Sequence, residues 1–149
     1  MSAMKTIFLI EDDPVVVKVY GAKFEREGFG VEAAPDGLVA LKMLAAVKPD
    51  IVVLDLMMPK LNGADVLKFI RSTPALKAIP VIILTNAYVT MTSLEQQAAA
   101  IGAERALLKS SCTPGQLIEV INDLLGGKAD ESGPAKPLAA PAPPTRRQA

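Results

Sequence analysis

The sequence predicts a doubly wound α/β fold, a parallel five-stranded sheet in which each strand is followed by a helix. Two observations carry this. Short β-branched and aliphatic runs alternate with longer stretches of helical period, five times in succession. The central runs IVVLDL and VIILT are apolar without alternation, as strands covered on both faces are. Half of the residues are hydrophobic and only 4% aromatic, so Val, Ile, Leu, Ala and Met must build the core.

The strand-like runs are Thr6–Ile10, Gly30–Ala34, Ile51–Leu54, Pro80–Leu84 and Ala106–Leu108. After the first, Asp13 caps a helix with Pro14 at its first position; Val17, Tyr20 and Phe24 form its stripe and Gly28 closes it. Asp36 caps a second helix carrying Leu38, Leu41 and Leu44, ended by Pro49. Val66, Leu67 and Ile70 mark a third, stopped before Pro74, and Met91, Leu94, Ala98 and Ile101 a fourth, ended by Gly102. The last is the best signposted. Thr113-Pro114-Gly115-Gln116 reads as a capping box, with Leu117, Ile121 and Leu124 as the apolar stripe.

Composition excludes several kinds of function. Sixteen basic and sixteen acidic residues cancel, so nothing suggests the basic face of a nucleic-acid binder. Cys112 is the only cysteine and cannot form an internal disulfide, which points to a reducing, cytoplasmic setting. The N-terminal apolar stretch stops at Glu11-Asp12-Asp13, too soon for a signal peptide or a membrane span. The chain has no histidine, which rules out Ser–His catalysis, His-ligated zinc and an internal phosphohistidine. A phosphoryl donor, if there is one, must therefore be another molecule. From about Gly126 onward, five of the twelve prolines occur without periodicity, the composition of a disordered tail or linker.

In an open parallel sheet, ligands bind at the carboxyl ends of the strands, where the strand order switches. Glu11-Asp12-Asp13 end the first strand, Asp55 the third, Thr85 the fourth and Lys109 the fifth. Each is weak taken singly: an acidic run can simply cap a helix, and a lysine is usually a surface charge. Together they form a set. Carboxylates crowded into a partly dry crevice call for a cation, and oxygen ligands alone favour Mg²⁺ or Mn²⁺. An Asp can attack phosphorus, and metal, ammonium and hydroxyl are the donors that hold phosphoryl oxygens. A phosphatase built on a nucleophilic Asp would need a second acid two residues on, where Met57 stands.

These residues resemble the receiver domains of bacterial response regulators, the CheY-like group. The matching stretches are Asp12-Asp13 after FLIE, VVLDLMMPKLNG with Asp55, Pro59 and Gly63, ILT ending at Thr85, and Lys109 after ALL. The likeness covers about residues 4 to 125. It implies a flavodoxin-like strand order of 2-1-3-4-5, with a receiver domain over residues 1–126 and a Pro/Ala-rich tail over 127–149. Asp55 would be the phosphorylation site, with Thr85 and Lys109 binding the phosphoryl oxygens. Asp12 and Asp13 would bind Mg²⁺, Asp13 directly and Asp12 through water, and the Met57 backbone carbonyl would complete the shell. Gly63 would sit in the tight turn that opens the third helix. The partner would be a histidine kinase or phosphotransfer protein. The domain would be a monomer or weak dimer, a signalling phosphoacceptor rather than an enzyme.

Three positions depart from the family pattern. Ala106 stands where a Tyr or Phe usually swings inward with the Thr, Asn86 follows Thr85 where a small residue is usual, and Ser110 replaces the proline after the lysine. A non-proline cis bond costs ~3 kcal/mol, so a trans bond and a different placement of Lys109 are open here. The resemblance thus implies intact phosphorylation chemistry with an altered switch at Thr85, Asn86 and Ala106. The output would pass through the fourth helix, fifth strand and fifth helix. The alternative is a phosphorylation-independent interaction module, which Ala106 and Ser110 favour.

Overall fold

The apolar runs form the parallel strands of a five-stranded sheet in the order β2-β1-β3-β4-β5 in a computed structural model. The structure describes residues 4–58, 61–86, 96 and 98–126. The elements are β1 (Thr6–Ile10), α1 (Pro14–Arg26), β2 (Gly30–Ala34), α2 (Gly37–Val47), β3 (Ile51–Leu54), α3 (Gly63–Ser72) and β4 (Val81–Thr85). They continue with α4 (described over residues 98–101), β5 (Arg105–Leu108), a 3-10 turn at Lys109–Ser111 and α5 (Pro114–Leu125). The expected Pro59, the helical positions Met91 and Leu94, and the tail from 127 lie outside the described residues.

Local chemistry sets the helix ends. The Asp13 carboxylate accepts from the Val15 N–H and the Asp36 carboxylate from the Val39 N–H, each bond 2.9 Å long. The capping box closes in both directions: Gln116 N–H donates to Thr113 Oγ1 at 3.1 Å, and Thr113 N–H to Gln116 Oε1 at 2.8 Å. The fourth strand starts one residue later than the sequence suggests. Pro80 has no N–H for the ladder, and only its carbonyl joins, accepting from Val52 N–H.

Both faces of the central strands are buried. Phe8, Ile10, Val52, Leu54, Val81, Ile83 and Ala106 pack with Ala40 and Leu44 of α2 and Val66, Leu67 and Ile70 of α3. Their neighbours Ile7, Leu9, Ile51, Val53, Ile82 and Leu84 point the other way and are equally buried. α1 lies against β1 and β2. The chain forms two compact units. The first, Met1–Leu117, contains the whole sheet; the second, Ile118–Ala149, is described to residue 126 and continues α5, with Ile118 and Ile121 buried.

This strand order positions the site. The chain leaves β1 for β2 on one side and then crosses back to β3 on the other, so the carboxyl ends of β1 and β3 are neighbours. Ile10 is registered with Leu54, and Asp55 N–H donates to the Ile10 carbonyl at 3.0 Å. Glu11 and Asp55 therefore emerge side by side at the switch point.

Candidate functional site

Asp55 follows β3 directly and is 4% exposed, and Glu11 follows β1 and is 2% exposed. Met57 N–H donates to Asp55 Oδ1 at 3.0 Å, holding that carboxylate at the mouth of the loop. The loop then turns back tightly. Gly63 N–H reaches the Leu56 carbonyl at 3.2 Å, and a Cβ on Gly63 would collide with the backbone of Asp55 and Leu56. Gly63 is thus required by close approach of backbone rather than by a left-handed φ. Asn62, just before it, caps α3 through the Asp65 N–H at 3.0 Å.

Lys109 extends into the same space from the first residue after β5. Its Nζ lies 2.5 Å from Glu11 Oε1 and 3.2 Å from Asp55 Oδ2, with its side chain 11% exposed. No peptide bond among the described residues is cis, so Lys109–Ser110 is trans, and Lys109 still reaches Asp55. Burial alone would lower the lysine's pKa. The hydrogen bond to Glu11 and the charges of Asp55 and Glu11 outweigh burial and raise it. Glu11 is pushed up, chiefly by burial and also by Asp55, with Lys109 and the Asp13 N–H pulling the other way.

Glu11, Asp12 and Asp55 each bring a carboxylate oxygen within 4.8 Å of the other two. Asp13 stands outside this group. Its carboxylate caps α1 through Val15, and its own N–H donates to Glu11 Oε2 at 3.0 Å. Among the described residues the grouped carboxylates are thus Glu11, Asp12 and Asp55, with the expected Asp12 among them and the expected Asp13 at the helix cap. Asp13 serves as the cap of α1, the use that the following Pro14 signals. Three carboxylates against one ammonium leave two net negative charges, and every donor is oxygen. That set fits a hard divalent cation and could hold one.

Thr85 ends β4, fully buried, with Asn86 exposed beyond it. Met57 has an exposed side chain. Ala106, the departure noted at this position, is buried in the core opposite Ile83. Two long-range contacts in this region carry no signal in the sequence, the Glu11–Lys109 pair and the hydrogen bond from Tyr20 Oη to the Cys112 carbonyl at 3.2 Å.

Residues 7–122 match the response regulator receiver domain family. The chain belongs to that family. It is 32% identical over 133 residues to response regulator MprA of Mycobacterium sp. (strain KMS), covering 88% of this chain and 55% of the relative. It is 38% identical over 85 residues to transcriptional regulatory protein CseB of Streptomyces coelicolor, covering 57% of this chain and 35% of the relative. The receiver thus spans between a third and about half of the length of these curated relatives. Among solved structures it is similar to chemotaxis response regulator CheY4 of Vibrio cholerae, at TM-score 0.75 and 24% identity over 83% of this chain and all of that one, a likeness of fold. The phosphorylated cyanobacterial phytochrome response regulator RcpA matches at TM-score 0.72 and 27% identity, covering 86% of this chain and 98% of that one. A receiver normally serves as a signalling phosphoacceptor rather than a catalyst, and implies a cognate histidine kinase. Among the described residues, no helix is long and apolar enough to cross a membrane.

Proposed function

We propose that this receiver takes a phosphoryl group from a partner histidine kinase or phosphotransfer protein onto Asp55, in a reaction that needs Mg²⁺ (or Mn²⁺), in the cytoplasm. The observation that supports it most is the contact of Lys109 with Asp55, beside the Glu11–Asp12–Asp55 cluster. An Asp55 oxygen attacks phosphorus as the bond from phosphorus to the donor's imidazole nitrogen breaks. The product is an acyl phosphate, and the imidazole leaves with its electron pair. Asp12 and Asp55 would hold the cation with the Met57 carbonyl. Glu11 stands behind them with its oxygens already used by Lys109 and the Asp13 N–H. The bound cation supplies charge neutralisation at the phosphoryl oxygens. Lys109 adds a fixed ammonium and Thr85 a hydroxyl at the neighbouring strand end.

The phosphorylated state of RcpA supports the same chemistry by likeness. The output runs through α4, β5 and α5, biased at Thr85 and Asn86. With Ala106 in the core, it proceeds without an aromatic ring. A second reading, a phosphorylation-independent interaction module, draws on that same Ala106. Beryllofluoride binding followed by fluorine NMR separates the two. The phosphoacceptor reading expects a bound signal that needs Mg²⁺ and is lost in Asp55→Asn. No bound signal in the wild type would favour the second reading.

A further inference from the structure

Lys109 opens a 3-10 turn that has no side-chain cap, and Ser110 and Ser111 within it are exposed. On one side the turn hangs from β5, an edge strand only partly buried. Yet the Lys109 ammonium has to reach two carboxylates at the far side of β4. Something must fix the turn from its other end.

Tyr20 is that fixture. Its ring is 8% exposed on the buried side of α1, set edge-on to Phe24 with centroids 6.2 Å apart. Its hydroxyl donates 3.2 Å to the backbone carbonyl of Cys112, the residue that ends the turn, across 92 positions of sequence. Burial raises the Tyr20 pKa, so the phenol keeps its proton and remains a donor at neutral pH. The same helix holds the other partner of the lysine, because the N–H of its capping residue Asp13 donates to Glu11 Oε2. α1 thus fixes Glu11 at its first turn and the lysine-bearing turn at its second.

We infer that Tyr20 is a positioning residue for phosphoryl transfer, acting through the Cys112 carbonyl to keep Lys109 within reach of Asp55. The inference rests on the phosphoacceptor reading for its consequence, but the contact itself does not. It also gives the hydroxyl a role that a position in an apolar stripe does not require.

The test is Tyr20→Phe, which keeps the ring and removes one hydrogen bond. Two measurements are made on the intact chain. The first is amide exchange without phosphodonor, where exchange at Lys109–Cys112 speeds up while β1 and β3 amides stay at wild-type rates. The second is labelling by acetyl phosphate, where the saturated rate falls about tenfold, the scale of one buried hydrogen bond. The Mg²⁺ concentration for half-maximal labelling stays the same, since Lys109 is not a metal ligand. Unchanged exchange at the turn, uniform acceleration across the sheet, or a labelling rate equal to wild type would each overturn the inference. If the wild type takes no label at all, the phosphoacceptor reading fails. The exchange measurement, which needs no donor, then still decides whether Tyr20 holds the turn.

Discussion

The Lys109 ammonium lies closer to Glu11, at 2.5 Å, than to Asp55, at 3.2 Å. Both members of the shorter pair are nearly buried, so the lysine's charge is retained by acids on two strands rather than by solvent. Negative charge added at Asp55 would draw Lys109 away from Glu11. The acid on β1 thus keeps the ammonium charged and close to Asp55.

Cation binding should follow the cluster and not the acidic run. Mg²⁺ at a hundred times its Kd is expected to stabilise the fold by about 2.7 kcal/mol, read as a rise in urea midpoint. Asp12→Asn should abolish that gain. Asp13→Asn keeps a good helix cap and should leave the gain nearly intact. Equal losses in the two variants would contradict the geometry.

Stability should fall in alkali. Cys112 is pushed up from 9.0 to about 11 by burial. Tyr20 is raised by burial, and Lys109 is raised by its acidic partners against burial. At high pH the folded chain therefore keeps protons that the unfolded chain releases, and the slope of unfolding free energy with pH is negative. The stability these groups contribute is full below about pH 9 and declines from there upward. Cys112→Ala should flatten the first part of the decline in urea titrations between pH 8 and 11. An identical slope in the variant would refute the assignment. The same protonated thiol should react slowly with iodoacetamide at neutral pH.

Gly63→Ala should damage site and fold together. The added methyl meets backbone atoms of Asp55 and Leu56, which cannot rotate away. A cost of about 1–3 kcal/mol is expected, with slower labelling of Asp55 even where the fold remains. Wild-type labelling kinetics in this variant would show that the loop has more room than its geometry implies.

Much of this was legible in the sequence because the signals are local. Asp13-Pro14, Asp36 and the Thr113–Gln116 box specify helix starts through bonds spanning three residues at most. Asp55 and Lys109 were legible as strand-end residues of one topology. Which of the three consecutive acids group with Asp55 was not, because it depends on the β1–β3 register and on where α1 begins. Tyr20 reads as one more apolar position, and its hydroxyl acquires a role only when a carbonyl 92 residues away comes within reach. Arg71 was invisible for the same reason.

Arg71 should matter to stability and not to chemistry. Its guanidinium donates to the carbonyls of Lys77, Ile79 and Gly102 and to Glu104, tying α3 to the loop that follows it and to the loop before β5. Arg71→Met should cost ~2–3 kcal/mol, mostly through the orphaned carbonyls, since the Glu104 pair is partly exposed. At a temperature where the variant is folded, the Asp55 labelling rate should match wild type. A strong loss of labelling would place Arg71 in the switch.

Conversion of Asp55 to an acyl phosphate can be read by peptide mapping with mass spectrometry. After incubation with acetyl phosphate and Mg²⁺, the adduct is expected on the peptide containing Asp55. It should be absent when the metal is chelated and absent in Asp55→Asn. A phosphoryl group found on another residue, or none on a folded wild-type chain, would contradict the account.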